Sequence, residues 1–445
     1  MRFLLTSVAA LLAGVCQAQH VGRVGPTVPA TSKMYECNVL NYGAKADNTT
    51  DIGPAIKSAF SNCIVKNPNS RLIVPQGNYL LSSTVLLNGA SNWAFQLDGL
   101  ITVDYSAYVS GAVSGNALVF QRMNEFELYS SNGKGAIQGQ GYLYRLRPNQ
   151  DGRSGWPRLL RVHISSNFSV HDIKLVDAPS FHLVVGEAVN AEVHRITIRG
   201  GNQGGLDGVD ISGTNYHVHH VEVTNRDECI CVKSPSKQAT IENIRCNQSG
   251  GSTIGSLKDG SVIENILFQN IENYQVTNAF MLKTYPGGAS PGYVKNVVLR
   301  NFTNIDVTYN AYITQYWQNS YAAGASGVQL SNITFSDWRG SVNHGGNRGA
   351  VVMVGSETNP PVNVNVKDFS FWTINGNKVV DRCDSTYGGG SCIKSISGSA
   401  TPTKYAAVSA TATAAPAGWV KPSAPWGIPA YDLYKPIPVP TSTFY

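Results

Sequence analysis

The middle of the chain repeats one short pattern: an apolar residue, a spacer, a small polar residue or His, then an alternating apolar strand. It runs through Val170-His171-Asp172-Ile173-Lys174-Leu175, Val193-His194-Arg195-Ile196-Thr197-Ile198 and Val218-His219-His220-Val221-Glu222-Val223. It continues in Ile241-Glu242-Asn243-Ile244-Arg245-Cys246, Ile263-Glu264-Asn265-Ile266-Leu267-Phe268 and Val294-Lys295-Asn296-Val297-Val298-Leu299. Leu330-Ser331-Asn332-Ile333-Thr334-Phe335 and Val366-Lys367-Asp368-Phe369-Ser370-Phe371 complete it. The central residues Ile173, Ile196, Val221, Ile244, Ile266, Val297, Ile333 and Phe369 are 23, 25, 23, 22, 31, 36 and 36 residues apart. Short period-2 strands at such intervals predict stacked coils, because one coil cannot bury its apolar side alone. The expected fold is all-β: a right-handed single-stranded parallel β-helix, with loops inserted in the later coils. A propeller needs four strands per blade of about 40 residues, and a leucine-rich repeat needs Leu-x-x-Leu-x-Leu; neither pattern is present. The open end of such a stack needs a cap. Asp51 to Cys63 reads as a short N-terminal capping helix, with Asp51 as N-cap, Pro54 in the first turn and Ala55, Ile56, Ala59 and Phe60 on one face.

Low charge, at 14% of residues, and 44 Gly fit a β-rich extracellular protein. Residues 1–18 read as a signal peptide: Arg2 supplies the positive region, Phe3 to Val15 the apolar stretch, and Cys16-Gln17-Ala18 the cleavage region. The apolar run is too short for a membrane span. The chain is therefore expected to be secreted, with no membrane partner. Residues 19–396 read as the β-helix domain. Residues 397–445, rich in Ala, Thr, Ser and Pro, read as an extended tail, with a small carbohydrate-binding module as the alternative. In an oxidising compartment the cysteine spacings suggest the disulfides Cys37–Cys63, Cys229–Cys246 and Cys383–Cys392, leaving Cys231 as a buried thiol. A zinc site is discounted because no Cys-x-x-Cys occurs. Glycosylation sequons stand at Asn48, Asn167, Asn247, Asn301 and Asn332. The formal charge of +6 is scattered, with no nucleic-acid motif; it suits an acidic polymer or simply a solvated surface. Capped coils need no partner, so a monomer is expected.

Three segments on successive coils carry the chemistry: Gly205-Leu206-Asp207-Gly208, Asn225-Arg226-Asp227-Glu228 and Ser249-Gly250-Gly251. Asp207 lies 20 residues before Asp227 and 21 before Glu228, about one coil, so the three carboxylates should stack on one face. Crowded carboxylates repel, which raises at least one pKa and yields an acid beside a base. Glycoside hydrolysis uses that pair. Asp and Gly also populate β-helix turns for purely structural reasons. That reading carries equal weight for Asp207 alone, fits Asp210, and weakens for the adjacent Asp227-Glu228 pair. A Cys229–Cys246 bridge would brace this site or simply stabilise the coil.

From about Cys37 to Phe371 the chain resembles glycoside hydrolase family 28, the polygalacturonase-type pectinases. Asp47-Asn48-Thr49-Thr50-Asp51 and Asp177-Ala178-Pro179-Ser180-Phe181-His182 are part of the likeness. The family signature is Asn-Thr-Asp, Asp-Asp, Gly-His-Gly and Arg-Ile-Lys. The matching segments here are Gly205-Leu206-Asp207, Asp227-Glu228, Gly250-Gly251 and Met281-Leu282-Lys283. The resemblance implies inversion with no metal or other cofactor, Asp227 as general acid, Asp207 and Glu228 activating water, and Lys283 holding a sugar carboxylate. The family's His is Gly250 here and its Arg is Met281, which argues for a neutral sugar on one side of the scissile bond, since a buried Arg without a carboxylate is costly. That variant set is similar to the rhamnogalacturonan-cleaving branch, which cuts the galacturonosyl-α-1,2-rhamnose link of pectin. Polygalacturonan and xylogalacturonan remain alternative substrates. Lys283 reads as a sugar ligand or a surface lysine, Tyr285 as a stacking platform, and His182 as a structural histidine rather than a substrate contact. Two other classes compete. A pectate lyase would use the acidic cluster for calcium and an Arg as base, and only Arg226 is at hand. A non-catalytic saccharide-binding β-helix would use the cluster as turns.

Overall fold

The computed structural model describes residues 19–147, 155–318, 326–343, 348–373, 376–396, 402–411, 414–420, 428 and 430–445. The expected signal peptide, residues 1–18, lies outside the described residues. The described residues form two compact units, Gly22–Cys231 joined by Ile428–Tyr445, and those from Val232 onward up to position 427 joined by Gln19–Val21.

Each unit is a stack of parallel coils, and the fold is the right-handed parallel β-helix. In the first unit, strand Leu183–Arg199 pairs in parallel with Val209–Thr224, matching Val193 to Val218 and Ile196 to Val221. In the second, Val262–Tyr274 pairs with Gly287–Val307, and that strand with Ser326–Val342. Inward positions are apolar and fully buried, as at Val193, Val218, Ile266, Val297 and Ile333.

The register corrects one part of the sequence reading. Ile244 is matched by Ile271 rather than Ile266, and Ile333 by Val364 rather than Phe369. The cause is an internal five-residue repeat. Each of these coils carries two left-handed residues five apart, each followed by an inward apolar side chain: Asn190 and Arg195, Asn215 and His220, Asn265 and Asn270, Asn296 and Asn301, Asn332 and Asp337, Asn363 and Asp368. Two equivalent columns therefore run along each unit's stack, and a sequence pattern cannot distinguish them. Phe302, Trp338 and Phe369 stack in one column with centroids 4.0 and 5.3 Å apart. Ile266, Val297, Ile333 and Val364 form the other. Left-handed Asn is tolerated because its amide bonds locally. Here those amides also bond coil to coil, as in Asn190 Nδ2 to Asn167 Oδ1 and Asn215 Nδ2 to Asn190 Oδ1, both 2.9 Å.

The helix at the N-terminal end spans Gly53–Ala59, with Pro54 in its first turn and Ala55, Ile56 and Ala59 buried. Its N-cap is Ile52 rather than Asp51, yet the Asp51 carboxylate accepts the Gly53 N–H at 2.9 Å and so satisfies an orphan donor one residue early. Disulfides join Cys37 to Cys63 and Cys383 to Cys392. Cys229 and Cys246 are each disulfide-bonded, and Cys231 is a buried free thiol.

The segment beyond Ser397 is extended in two described stretches. Ala406–Thr411 adds an antiparallel strand to Val379–Asp384 in the second unit. Residues 430–445 run along the first unit, where Arg145 Nε donates to Leu433 O at 2.7 Å and Gln138 Nε2 to Ile437 O at 2.8 Å.

Candidate active site

The acidic residues are placed by backbone pairing across three successive coils of the first unit. His182 N donates to Asp207 O at 2.9 Å, and Leu183 N to Gly208 O at 3.0 Å. Gly208 N in turn donates to Glu228 O at 2.8 Å. Gly208 permits this approach, because a Cβ there would lie 2.4 Å from the carbonyl oxygen of Cys229 on the next coil. Asp207 and Glu228 thus sit side by side on neighbouring coils, with Asp227 adjacent. One carboxylate oxygen from each of the three lies within 4.8 Å of the others. Asp207 and Glu228 are buried and Asp227 half-buried.

Asn225 fastens this arrangement. Its Nδ2 donates to Leu206 O at 2.7 Å and to Glu228 O at 3.2 Å, tying the two acidic segments together. Asn225 opens the Asn225-Arg226-Asp227-Glu228 segment, but nothing in the sequence marks its own role. Gly205, at φ 72°, turns its N–H onto Asp227 Oδ2, and Glu228 N donates to Asp227 Oδ1 at 2.9 Å.

Burial pushes the Asp227 carboxyl up to about 7, and the hydrogen bond and negative charge of Glu228 add to the rise. The Gly205 and Glu228 N–H groups oppose it and lose. Asp227 therefore carries its proton in mildly acidic solution, beside two further carboxyls. An acid and neighbouring bases in one cluster fit the double demand of glycosidic cleavage.

His182 lies under Asp207 and is fully buried. Its Nε2 is 3.3 Å from the donating Ala178 N–H, so Nε2 is the acceptor and Nδ1 carries the proton, 3.0 Å from Asp207 O. Burial holds this imidazole down at about 4, so it is neutral in weak acid. Nearby, Arg145 and Asp177 form a buried ion pair at 2.5 Å. Arg145 packs under Gly201, where a Cβ would lie 2.9 Å from the guanidinium carbon. Asn202 N is bonded to Tyr431 O at 3.3 Å. This loop leads directly to Gly205. Neither the ion pair nor the Tyr431 contact has a local sequence signal, since their partners are far apart in the chain.

The remaining candidates belong to the second unit. Gly250 is buried and its carbonyl accepts the Asn278 N–H at 3.2 Å. Lys283 is buried, with its ammonium 4.4 Å from the centroid of the Trp317 ring. Tyr285 is half-buried, 5.8 Å from the Lys258 ammonium and 3.4 Å from Gln318 Oε1. Met281 is buried in register with Thr253. Trp317 carries no sequence signal, since a lone Trp in a loop gives no pattern.

The profile of glycosyl hydrolases family 28 matches residues 64–392. The chain is 41% identical over 448 residues to "Probable rhamnogalacturonase B" of Neosartorya fischeri, covering 100% of this chain and 83% of that one. It is 40% identical over 446 residues to "Rhamnogalacturonase A" of Aspergillus aculeatus, covering 99% and 96%. The fold is similar to the crystal structure of endo-xylogalacturonan hydrolase from Aspergillus tubingensis, at a TM-score of 0.67 and 23% identity over 77% of this chain and 94% of that one. It is also similar to an exopolygalacturonase from Thermotoga maritima, at 0.65 and 17% over 82% and 91%. With the β-helix and the clustered carboxylates beside it, this likeness over nearly the whole length makes the chain a member of glycoside hydrolase family 28 and a glycoside hydrolase.

Proposed function

We propose that this enzyme cleaves the galacturonosyl-α-1,2-rhamnose bond of the rhamnogalacturonan backbone, outside the cell and as a monomer. The observation that carries the chemistry is the Asp227 carboxyl, raised to about 7 beside Asp207 and Glu228. Protonated Asp227 gives its proton to the glycosidic oxygen as the bond to the anomeric carbon breaks. Asp207 and Glu228, as carboxylates, accept a proton from the water that attacks that carbon. The products are a new reducing end and a free rhamnose hydroxyl. Inverting pairs usually stand about 6.5–9.5 Å apart and retaining pairs about 5–5.5 Å. Here one oxygen of each carboxylate lies within 4.8 Å of the others, a spacing of single oxygens rather than of whole carboxyl groups. One water can still bridge Asp207 and Glu228, since two hydrogen bonds of about 2.8 Å span up to about 5.6 Å.

The substrate reading rests on the relatives named rhamnogalacturonase and on Gly250 and Met281, which replace two cationic groups with small or apolar ones. Lys283 remains to hold a galacturonate carboxylate, with Tyr285 as a platform for a sugar face and Gly250 leaving room for a neutral ring. No metal or organic cofactor has a role in this scheme. Secretion is supported by the sequence of residues 1–18. Among the described residues, no helix is long and apolar enough to cross a membrane.

Product analysis on saponified rhamnogalacturonan and on polygalacturonate, side by side with EDTA present, tests the proposal. New reducing ends are expected from rhamnogalacturonan only, and proton NMR of the first product should show the β-anomer formed from an α-bond. Cleavage of polygalacturonate alone would overturn the substrate. The α-anomer would overturn inversion, and loss of activity in EDTA would favour a calcium-dependent reaction.

The five sequons differ in access. Asn48, Asn301 and Asn332 are exposed and Asn167 is half-buried, whereas Asn247 is 1% exposed. A glycan on Asn247 is incompatible with this fold. Peptide mapping of the secreted protein after deglycosylation in heavy-oxygen water should mark the exposed sites and leave Asn247 unmodified.

A further inference from the structure

Away from the carboxylates, the first unit holds a second cluster of ionisable side chains that the chemistry above does not use. Along Val209–Thr224 the strand alternation buries Tyr216 and Val218 and turns His217 and His219 outward on one face. On the preceding coil, Glu192 is in register with His217, and His194 with His219. The His171, His194 and His219 rings stack, with centroids 4.6 and 4.9 Å apart and planes within 7° and 3° of parallel. That column fixes the His219 ring. The His217 ring lies 4.1 Å from it, and the Glu192 carboxylate 3.0 Å from His219 Nε2. One donor atom from each of Glu192, His217 and His219 lies within 4.8 Å of the others.

We propose that Glu192, His217 and His219 bind a divalent transition-metal ion of the zinc or copper class, at a site separate from the carboxylates. Two imidazoles and one carboxylate are a donor set for such ions, whereas calcium and magnesium take oxygen ligands. His-x-His on a strand presents both rings to the same side, and coil register brings Glu192 beside them. Small side-chain rotations draw the donors in to bonds of about 2.0–2.2 Å. All three residues are half-buried, so solvent can fill a fourth position. A partner beyond the donors holds the His219 ring: His220 Nδ1 lies 2.7 Å from His219 Nδ1.

The test uses the untagged full chain, stripped with EDTA and dialysed. Zinc is titrated by calorimetry near neutral pH, and Co²⁺ is followed by visible absorption. One ion per chain is expected, with ligand-field bands for Co²⁺. His217→Ala and Glu192→Gln, which lie outside the stacked column, should each weaken zinc binding by at least about tenfold with the circular dichroism unchanged. Failure of zinc to bind, or binding unchanged in both His217→Ala and Glu192→Gln, would overturn the proposal. So would binding that is lost only in Asp207→Asn, which would place the ion at the carboxylates.

Discussion

Asp227→Asn is expected to lower kcat on rhamnogalacturonan by about 10²- to 10⁴-fold, the usual contribution of a positioned proton donor, with little change in KM. The same substitution should raise stability at neutral pH. The Asp227 carboxyl titrates at about 7 in the fold against 3.8 as its ordinary value, mainly because burial disfavours its charge. Between those two values the unfolded chain has released this proton and the folded chain still holds it. Folding therefore takes up a proton, and stability falls as pH rises through the window. Asn has no charge to bury and escapes that loss. Two N–H groups, from Gly205 and Glu228, face this side chain, and an amide can accept from only one of its two ends, which offsets part of the gain. The variant should thus melt above the wild type near pH 7.5, and the difference should vanish toward pH 4. The wild-type rate should decline as pH rises through about 7. Undiminished turnover in the variant would remove Asp227 from the acid role. A melting difference independent of pH would remove the raised pKa.

Arg145→Ala is expected to destabilise the protein by about 3–5 kcal/mol near neutral pH, because it leaves the buried Asp177 carboxylate without its counter-charge. Burial already raises the Asp177 carboxyl, with Arg145 opposing that rise. Without Arg145 the carboxyl takes a proton more readily, so the penalty should shrink in acid, where Asp177 neutralises rather than remaining as an isolated ion. Denaturant unfolding at pH 7.5 and at pH 4.5 measures both. An Arg145→Met, Asp177→Leu double variant should recover part of the loss by replacing the pair with apolar volume. Equal destabilisation at both pH values would show that the loss comes from the Leu433 hydrogen bond or from packing rather than from the stranded charge.

Much of this was legible in the chain because a β-helix writes its architecture locally. Alternation and coil length predicted parallel coils, and the 20- and 21-residue intervals put Asp207 beside Asp227 and Glu228, which is where they are. Register was less legible. Ile244 and Ile271 are matched across coils, yet Ile266 offers the same Asn-Ile signal five residues earlier, and only three-dimensional packing selects between them. The supports of the site were not legible. Asn225 acts through its amide on two carbonyls, a role that any Asn in a turn could have. Arg145, Asp177 and Tyr431 come from distant parts of the chain, and no pattern within one coil links them.

The course of the last described residues also bears on the order of events during synthesis. The unit that carries the carboxylates is made of Gly22–Cys231 together with Ile428–Tyr445. Tyr431 and Leu433 supply carbonyls to Asn202 and Arg145, and the buried Ile437 supplies one to Gln138. Roughly 200 residues are translated between Cys231 and those partners, about 10–40 s of ribosome time. The first coils can stack as they emerge, but the loop leading to Gly205 gains its Tyr431 backbone partner only after the second unit has been translated. Full order around the acid would then wait for a segment made after the whole of the second unit.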